Sequence, residues 1–86
     1  MTGPRDPAEL DEARRHLGLT LKDLWIRYFA LGGNADQIEL DAFFHGLSEL
    51  SRLEYNVLAH AINEAFMDHG AERRVPYYFE DGSGPR

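Results

Sequence analysis

The chain has 86 residues, 43% of them hydrophobic and 12% aromatic, and its nine Lys and Arg stand against fifteen Asp and Glu for a net charge of −6. Such a length bounds it to one small domain, the apolar content excludes an intrinsically disordered chain, and the acidic field repels phosphate backbones instead of collecting them. Cysteine is absent, which removes disulfides and thiolate metal cages from consideration. No basic stretch followed by an apolar run opens the sequence, and no run approaches the ~18 apolar residues of a membrane span. The expected setting is the cytoplasm, with no membrane partner.

Caps and periodicity predict an all-α four-helix bundle of short helices, followed by an irregular aromatic C-terminal tail. Residues 1–5 read as a disordered N-terminus, 6–70 as the bundle and 71–86 as the tail. The first helix, over about 7–17, has Asp6 as cap, Pro7 in its first turn and Gly18 as its stop. Leu10, Ala13 and Leu17 share its narrow apolar stripe, and Asp11 and Arg15 are spaced for an exposed pair.

The second helix, over about 21–31, starts at Thr20 with Asp23 completing a capping box and Leu19 and Leu24 placed for a hydrophobic staple. Gly32 and Gly33 stop it. Leu21, Leu24, Trp25, Tyr28 and Phe29 follow the helical period, so this segment reads as the central helix with its aromatics inward. The third, over about 36–47, is capped either by Asn34 with Gln37 or by Asp36 with Glu39, and its apolar face is Leu40, Phe43, Phe44 and Leu47. The fourth, over about 52–69, opens at Ser51 with Glu54 as a capping box and Leu50 with Tyr55 as a staple. Its stripe is Leu58, Ala61, Ile62, Ala65 and Phe66, and Gly70 closes it. Trp25, Tyr28, Phe29, Leu40, Phe43, Phe44, Leu47, Leu58, Ile62 and Phe66 form the predicted core. Short connections predict that sequential helices pack as neighbours.

In the tail "AERRVPYYFEDGSGPR", Pro76 opposes helix, and three consecutive rings, Tyr77, Tyr78 and Phe79, cannot all face one core. Either one or two of them fold back over a bundle groove, or the segment serves as a dimer contact or a docking segment for another protein. The final residues read as a loose terminus.

Asp41 with His45, and His60 with Glu64, are acid–histidine pairs four residues apart, so each pair projects from one helix face, and two such faces meeting could surround a zinc or iron ion. Such pairs are also ordinary on solvated faces, and neither Glu-x-x-His nor His-Glu-x-x-His occurs, so no metal or cofactor is assigned. No Gly-x-Ser-x-Gly elbow or phosphate-binding glycine loop is present, and the expectation is a noncatalytic protein.

The stretch "LGGNADQIELDAFF" resembles the outline of an EF-hand, with Ile38 at the central apolar loop position. In that alignment the first, third, fifth and twelfth loop places hold Leu31, Gly33, Ala35 and Ala42, none of which supplies the side-chain oxygens calcium needs. "LSRLEYNVLAHAINEAF" is similar to the opening helix of a LuxR-type helix-turn-helix, which implies a basic recognition helix next. Instead Gly70 and Pro76 follow, with Arg73 and Arg74 as the basic cluster. More broadly, "LWIRYFALGGNADQIELDAFFHGL" through "VLAHAINEAF" resembles small uncharacterised actinobacterial helical proteins with a Trp-x-x-Tyr-Phe-x-Leu-Gly-Gly segment. That resemblance implies a bacterial, intracellular setting and carries over no site residues.

The reading is therefore a protein–protein interaction or regulatory module, self-associating or docking on another protein, with Tyr77, Tyr78, Phe79 and Trp25 as candidate contacts. The alternative is a DNA-associated regulator using the fourth helix, and a third reading is a metal-binding bundle.

Overall fold

In the computed structural model, which describes residues 7–77, four helices are present: α1 (Pro7–His16), α2 (Leu21–Ala30), α3 (Gln37–Phe44) and α4 (Arg52–Asp68). There is no strand among the described residues, and the fold is an all-α four-helix domain. The expected cap Asp6, the N-terminal segment 1–5 and the rings of Tyr78 and Phe79 lie outside the described residues.

The caps explain the starts of three helices. Thr20 Oγ1 accepts the Asp23 N–H at 3.0 Å and Asp23 Oδ2 accepts the Thr20 N–H at 3.0 Å, the reciprocal box expected from sequence. At α3 the choice falls on Asp36, whose carboxylate accepts the Glu39 N–H at 2.8 Å while Glu39 Oε1 accepts the Asp36 N–H at 2.9 Å. Ser51 Oγ accepts the Glu54 N–H at 3.1 Å, but the box expected there does not close, because the Glu54 carboxylate is used elsewhere. On α1, Arg15 pairs with Asp11 at 3.0 Å as spaced, and Arg14 reaches the same carboxylate at 2.7 Å.

Of the sequential pairs expected to pack as neighbours, α2 with α3 makes a main contact, and α3 meets α4 through the Phe43 and Tyr55 rings, whose centroids lie 6.2 Å apart. The main contacts run from α1 to α3 and α4, and from α2 to α3 and α4, so the first two helices grip the second two. α2 packs on both α3 and α4, as a central helix does, while α4 supplies more buried residues than any other helix. Its buried positions Tyr55, Leu58, Ala59, Ala61, Ile62, Asn63, Ala65 and Phe66 cover most of its circumference, and the alanines let neighbouring backbones approach. Leu10, Leu24, Tyr28 and Leu40 complete the set of large fully buried side chains, each contributing about 1.5–3 kcal/mol on removal from water.

Two predicted core residues are corrected. Phe29 is 60% exposed, since Leu24 and Tyr28 take the inward direction and the next residue lies about 100° further round a helix of 3.6 residues per turn. Leu47 is 80% exposed, because α3 ends at Phe44. Gly46 there adopts φ 74°, a left-handed turn open to glycine at little cost, and the chain leaves the helix before Leu47 can continue the Phe43 stripe. Trp25 and Phe44 are partly buried against the core, whereas Tyr28, Leu40, Phe43, Leu58, Ile62 and Phe66 are buried as expected.

After α4 the chain turns at Gly70 and runs back without regular secondary structure as a strap over residues 71–77. Val75 plugs into the core at 2% exposure. The buried Asn63 amide holds it from both sides, donating to the Val75 carbonyl at 3.0 Å and accepting the Val75 N–H at 2.7 Å. This satisfies both backbone groups of the one strap residue that is driven inside, as buried polar atoms require. Further along, Arg73 pairs with Glu12 of α1 and lies 5.3 Å over the Phe66 ring, so the strap joins α4 to α1.

Candidate interaction surface

The α2–α3 joint is built around Tyr28. Its hydroxyl donates a short hydrogen bond to Glu54 and accepts the Ala35 N–H at 2.8 Å. Glu54 also accepts the Asn34 N–H at 3.0 Å and its side-chain amide at 3.2 Å, which is why this carboxylate does not return to cap α4. The Trp25 indole N–H donates to the Ala35 carbonyl at 3.0 Å, so both backbone groups of Ala35 are held by side chains from α2. Gly33 lies against the Tyr28 ring, and a Cβ there would sit inside the ring's van der Waals envelope.

This geometry sets the local proton affinities. Burial, then the hydrogen bond to Glu54, pushes the Tyr28 hydroxyl up from its ordinary 10 to about 12. Burial opposes the charged form of Glu54, but the Asn34 N–H, the Tyr28 hydroxyl and the Asn34 amide together outweigh it and hold the carboxyl below its usual range. The joint is thus a neutral phenol on a satisfied carboxylate, a structural lock whose polar groups already have partners inside the chain. The loop groups that an EF-hand outline would turn toward a cation are taken by this network or are apolar.

Outside the lock lies an open apolar face. Leu21, Trp25, Gln37, Ile38, Asp36 and Asp41 line a groove of about 590 Å³ between α2 and α3. Ile38 is 81% exposed at its edge, and Phe29 extends the apolar surface by stacking on Trp25 with ring centroids 5.2 Å apart and planes at 26°. The indole hydrogen bond ties the Trp25 ring to the Ala35 carbonyl of the joint.

The other sequence-predicted residues are distributed elsewhere. Tyr77 lies against α4, its hydroxyl 2.8 Å from His60 Nδ1 in a hydrogen bond and its ring 6.2 Å from the imidazole; with Leu31, Asn56 and Val57 these two line a second groove of about 400 Å³. His60 Nε2 is 3.7 Å from Glu64, and His45 Nδ1 is 3.4 Å from the Asp41 carboxylate but closer, at 2.8 Å, to the Asp41 carbonyl. The two acid–histidine pairs are not brought together: no group of three or more potential ligands that could hold a metal occurs among the described residues. Arg74 donates to the carbonyls of Ala71 and Arg73 at 2.9 and 2.7 Å, and no helix follows α4 within the described residues. No described helix is long and apolar enough to cross a membrane.

Sequence reasoning missed Phe29 and Ile38 as surface residues. The available signal was the width of the α2 stripe. Leu21, Leu24, Trp25, Ile26, Tyr28 and Phe29 cover more of the helix than two neighbours can bury. No protein-family model matches the chain, and neither does any curated protein or solved structure.

Proposed function

We propose that the chain is a noncatalytic interaction module that docks on another protein through the α2–α3 face. The observation that carries this reading is the adjacency of Trp25, Phe29 and Ile38 on one side of the molecule, two of them more than half exposed. Exposed apolar residues scattered singly are normal, but a contiguous apolar face with a stacked aromatic pair and a polar rim is the anatomy of a recognition surface. Trp25 keeps the contact role expected for it, and Phe29, Ile38 and Leu21 join it. Tyr77 is engaged by His60 within its own bundle, which supports a structural role for the strap.

The test is site-specific photocrosslinking in the native host, with a benzophenone side chain in place of Phe29, of Ile38, or of the exposed Met67 on α4 as control. Discrete adducts at positions 29 and 38 and none at 67 are expected, and the adduct mass separates a second copy from a different protein. Equal labelling at 67, or none at 29 and 38, would remove the reading.

A further inference from the structure

Resting on that docking reading, we infer that the partner presents a cationic amphipathic helix to the α2–α3 groove. The charge distribution carries the argument. Between Arg27 and Arg52 the chain holds Asp36, Glu39, Asp41 and Glu49 and no lysine or arginine; His45 stands beside Asp41 and Arg14 lies over Phe44, but the two charged residues that line the groove are both carboxylates. Asp36 and Asp41 stand in the groove wall itself, beside Trp25 and Ile38. The nearest α2 cations do not offset them. Arg27 is bound to Asp68 on α4 at 2.9 Å, and Lys22 lies next to Asp23.

A second copy fits this face poorly. A two-fold contact places each groove on its own image, so Asp36 and Asp41 would meet their counterparts in a surface being desolvated, between two chains that each carry −6. An anionic membrane or a nucleic acid is repelled on the same ground. What complements an apolar floor with an acidic wall is a helix whose leucine-like anchors recur at i, i+3 or i+4 and i+7, flanked by Lys or Arg that reach the carboxylates.

Trp25 is the chain's single tryptophan and lies in the groove, so its emission reports occupancy directly. The experiment titrates the full chain with two synthetic 18-residue amphipathic peptides of identical leucine pattern, one with lysine and one with glutamate on the polar face. The Leu/Lys peptide is expected to shift the emission and to bind at least about tenfold tighter than the Leu/Glu peptide, with the difference shrinking as salt is raised. Asp41→Lys, at an exposed site, is expected to weaken the Leu/Lys complex by about three- to tenfold. The charge-neutral pair Phe29→Ser and Ile38→Ser is expected to abolish the emission shift while circular dichroism stays helical. Equal affinity for both peptides, binding indifferent to Asp41→Lys, or binding that survives the Phe29→Ser/Ile38→Ser change overturns the inference. So does a light-scattering mass showing a dimer in which Trp25 is occluded. Crosslinking at positions 29 and 38 without preference for the Leu/Lys peptide defeats this inference alone; failure of both defeats the docking reading as well.

Discussion

Tyr28→Phe removes one oxygen and tests the lock on which the α2–α3 face depends. The hydroxyl makes two hydrogen bonds, one donated to the Glu54 carboxylate and one accepted from the Ala35 N–H. A hydrogen bond to a charged group is worth about 1.5–3 kcal/mol and a neutral one about 1 kcal/mol, so the expected loss is about 2.5–4 kcal/mol, toward the lower end because Glu54 keeps both Asn34 donors. Set against the ~4–13 kcal/mol total typical of a chain this long, that is a large fraction. Urea unfolding followed by Trp25 fluorescence measures it as a lower midpoint at unchanged slope. A cycle with Glu54→Gln should show a coupling above about 1 kcal/mol, as expected for groups sharing one network.

The same variant has a pH signature. Tyr28 has its folded value raised, so its contribution is complete below pH 10 and is lost as pH rises from 10 to about 12. Glu54 has its folded value lowered, so its contribution is present above its ordinary 4.5 and is lost as pH falls through the depressed folded value. Tyr28→Phe should flatten the alkaline limb and weaken the acid limb, since it also removes a donor to Glu54. A stability loss under about 0.5 kcal/mol with no coupling and an unaltered alkaline limb would refute the reasoning, because hydrogen bonds of this kind have larger effects when broken.

Gly33→Ala pushes a methyl into the buried Tyr28 ring and should cost about 1–3 kcal/mol or more as an overpacked site, measurable as a fall in melting temperature. Asn63→Ala strips both partners from the buried Val75 peptide and should cost about 2–4 kcal/mol, with amide exchange at Val75 accelerating more than exchange in α2. By contrast, Phe29→Ser together with Ile38→Ser should change stability by less than about 1 kcal/mol, because both side chains are mostly in water already. A large drop in the melting temperature of that pair would mean that the face is part of the core.

Much of the fold was legible because helices announce themselves locally. Thr20 and Asp23, or Ser51 immediately before the start of α4, lie within one turn of the groups they satisfy, and Leu58, Ile62 and Phe66 repeat at the helical period. What was not legible is long-range. Glu54 stands three residues after Ser51, the right spacing for a capping box, yet it bonds to Tyr28 and Asn34 because the fold brings those donors to it from 26 and 20 residues away. Asn63 looks like a polar residue beside an apolar stripe until Val75 arrives twelve residues later. Periodicity also gives the direction of a side chain but not what covers it. It placed Trp25 and Phe29 on the apolar side of α2, while only the packing of α2 on α3 and α4 leaves Phe29 outside. Leu47 failed for a local reason, the Gly46 turn that ends α3 early.

The central claim is that this protein works through the Trp25–Phe29–Ile38 face while its strap stays closed on its own bundle. The most direct measurement is a map of backbone and indole N–H chemical shifts when the partner identified by crosslinking is added to the labelled chain. The account predicts the largest changes at Leu21, the Trp25 indole, Phe29, Ile38 and Asp41, with Val75 and Tyr77 unmoved. A map centred on His60 and Tyr77, with the Trp25 indole signal unchanged, would contradict it.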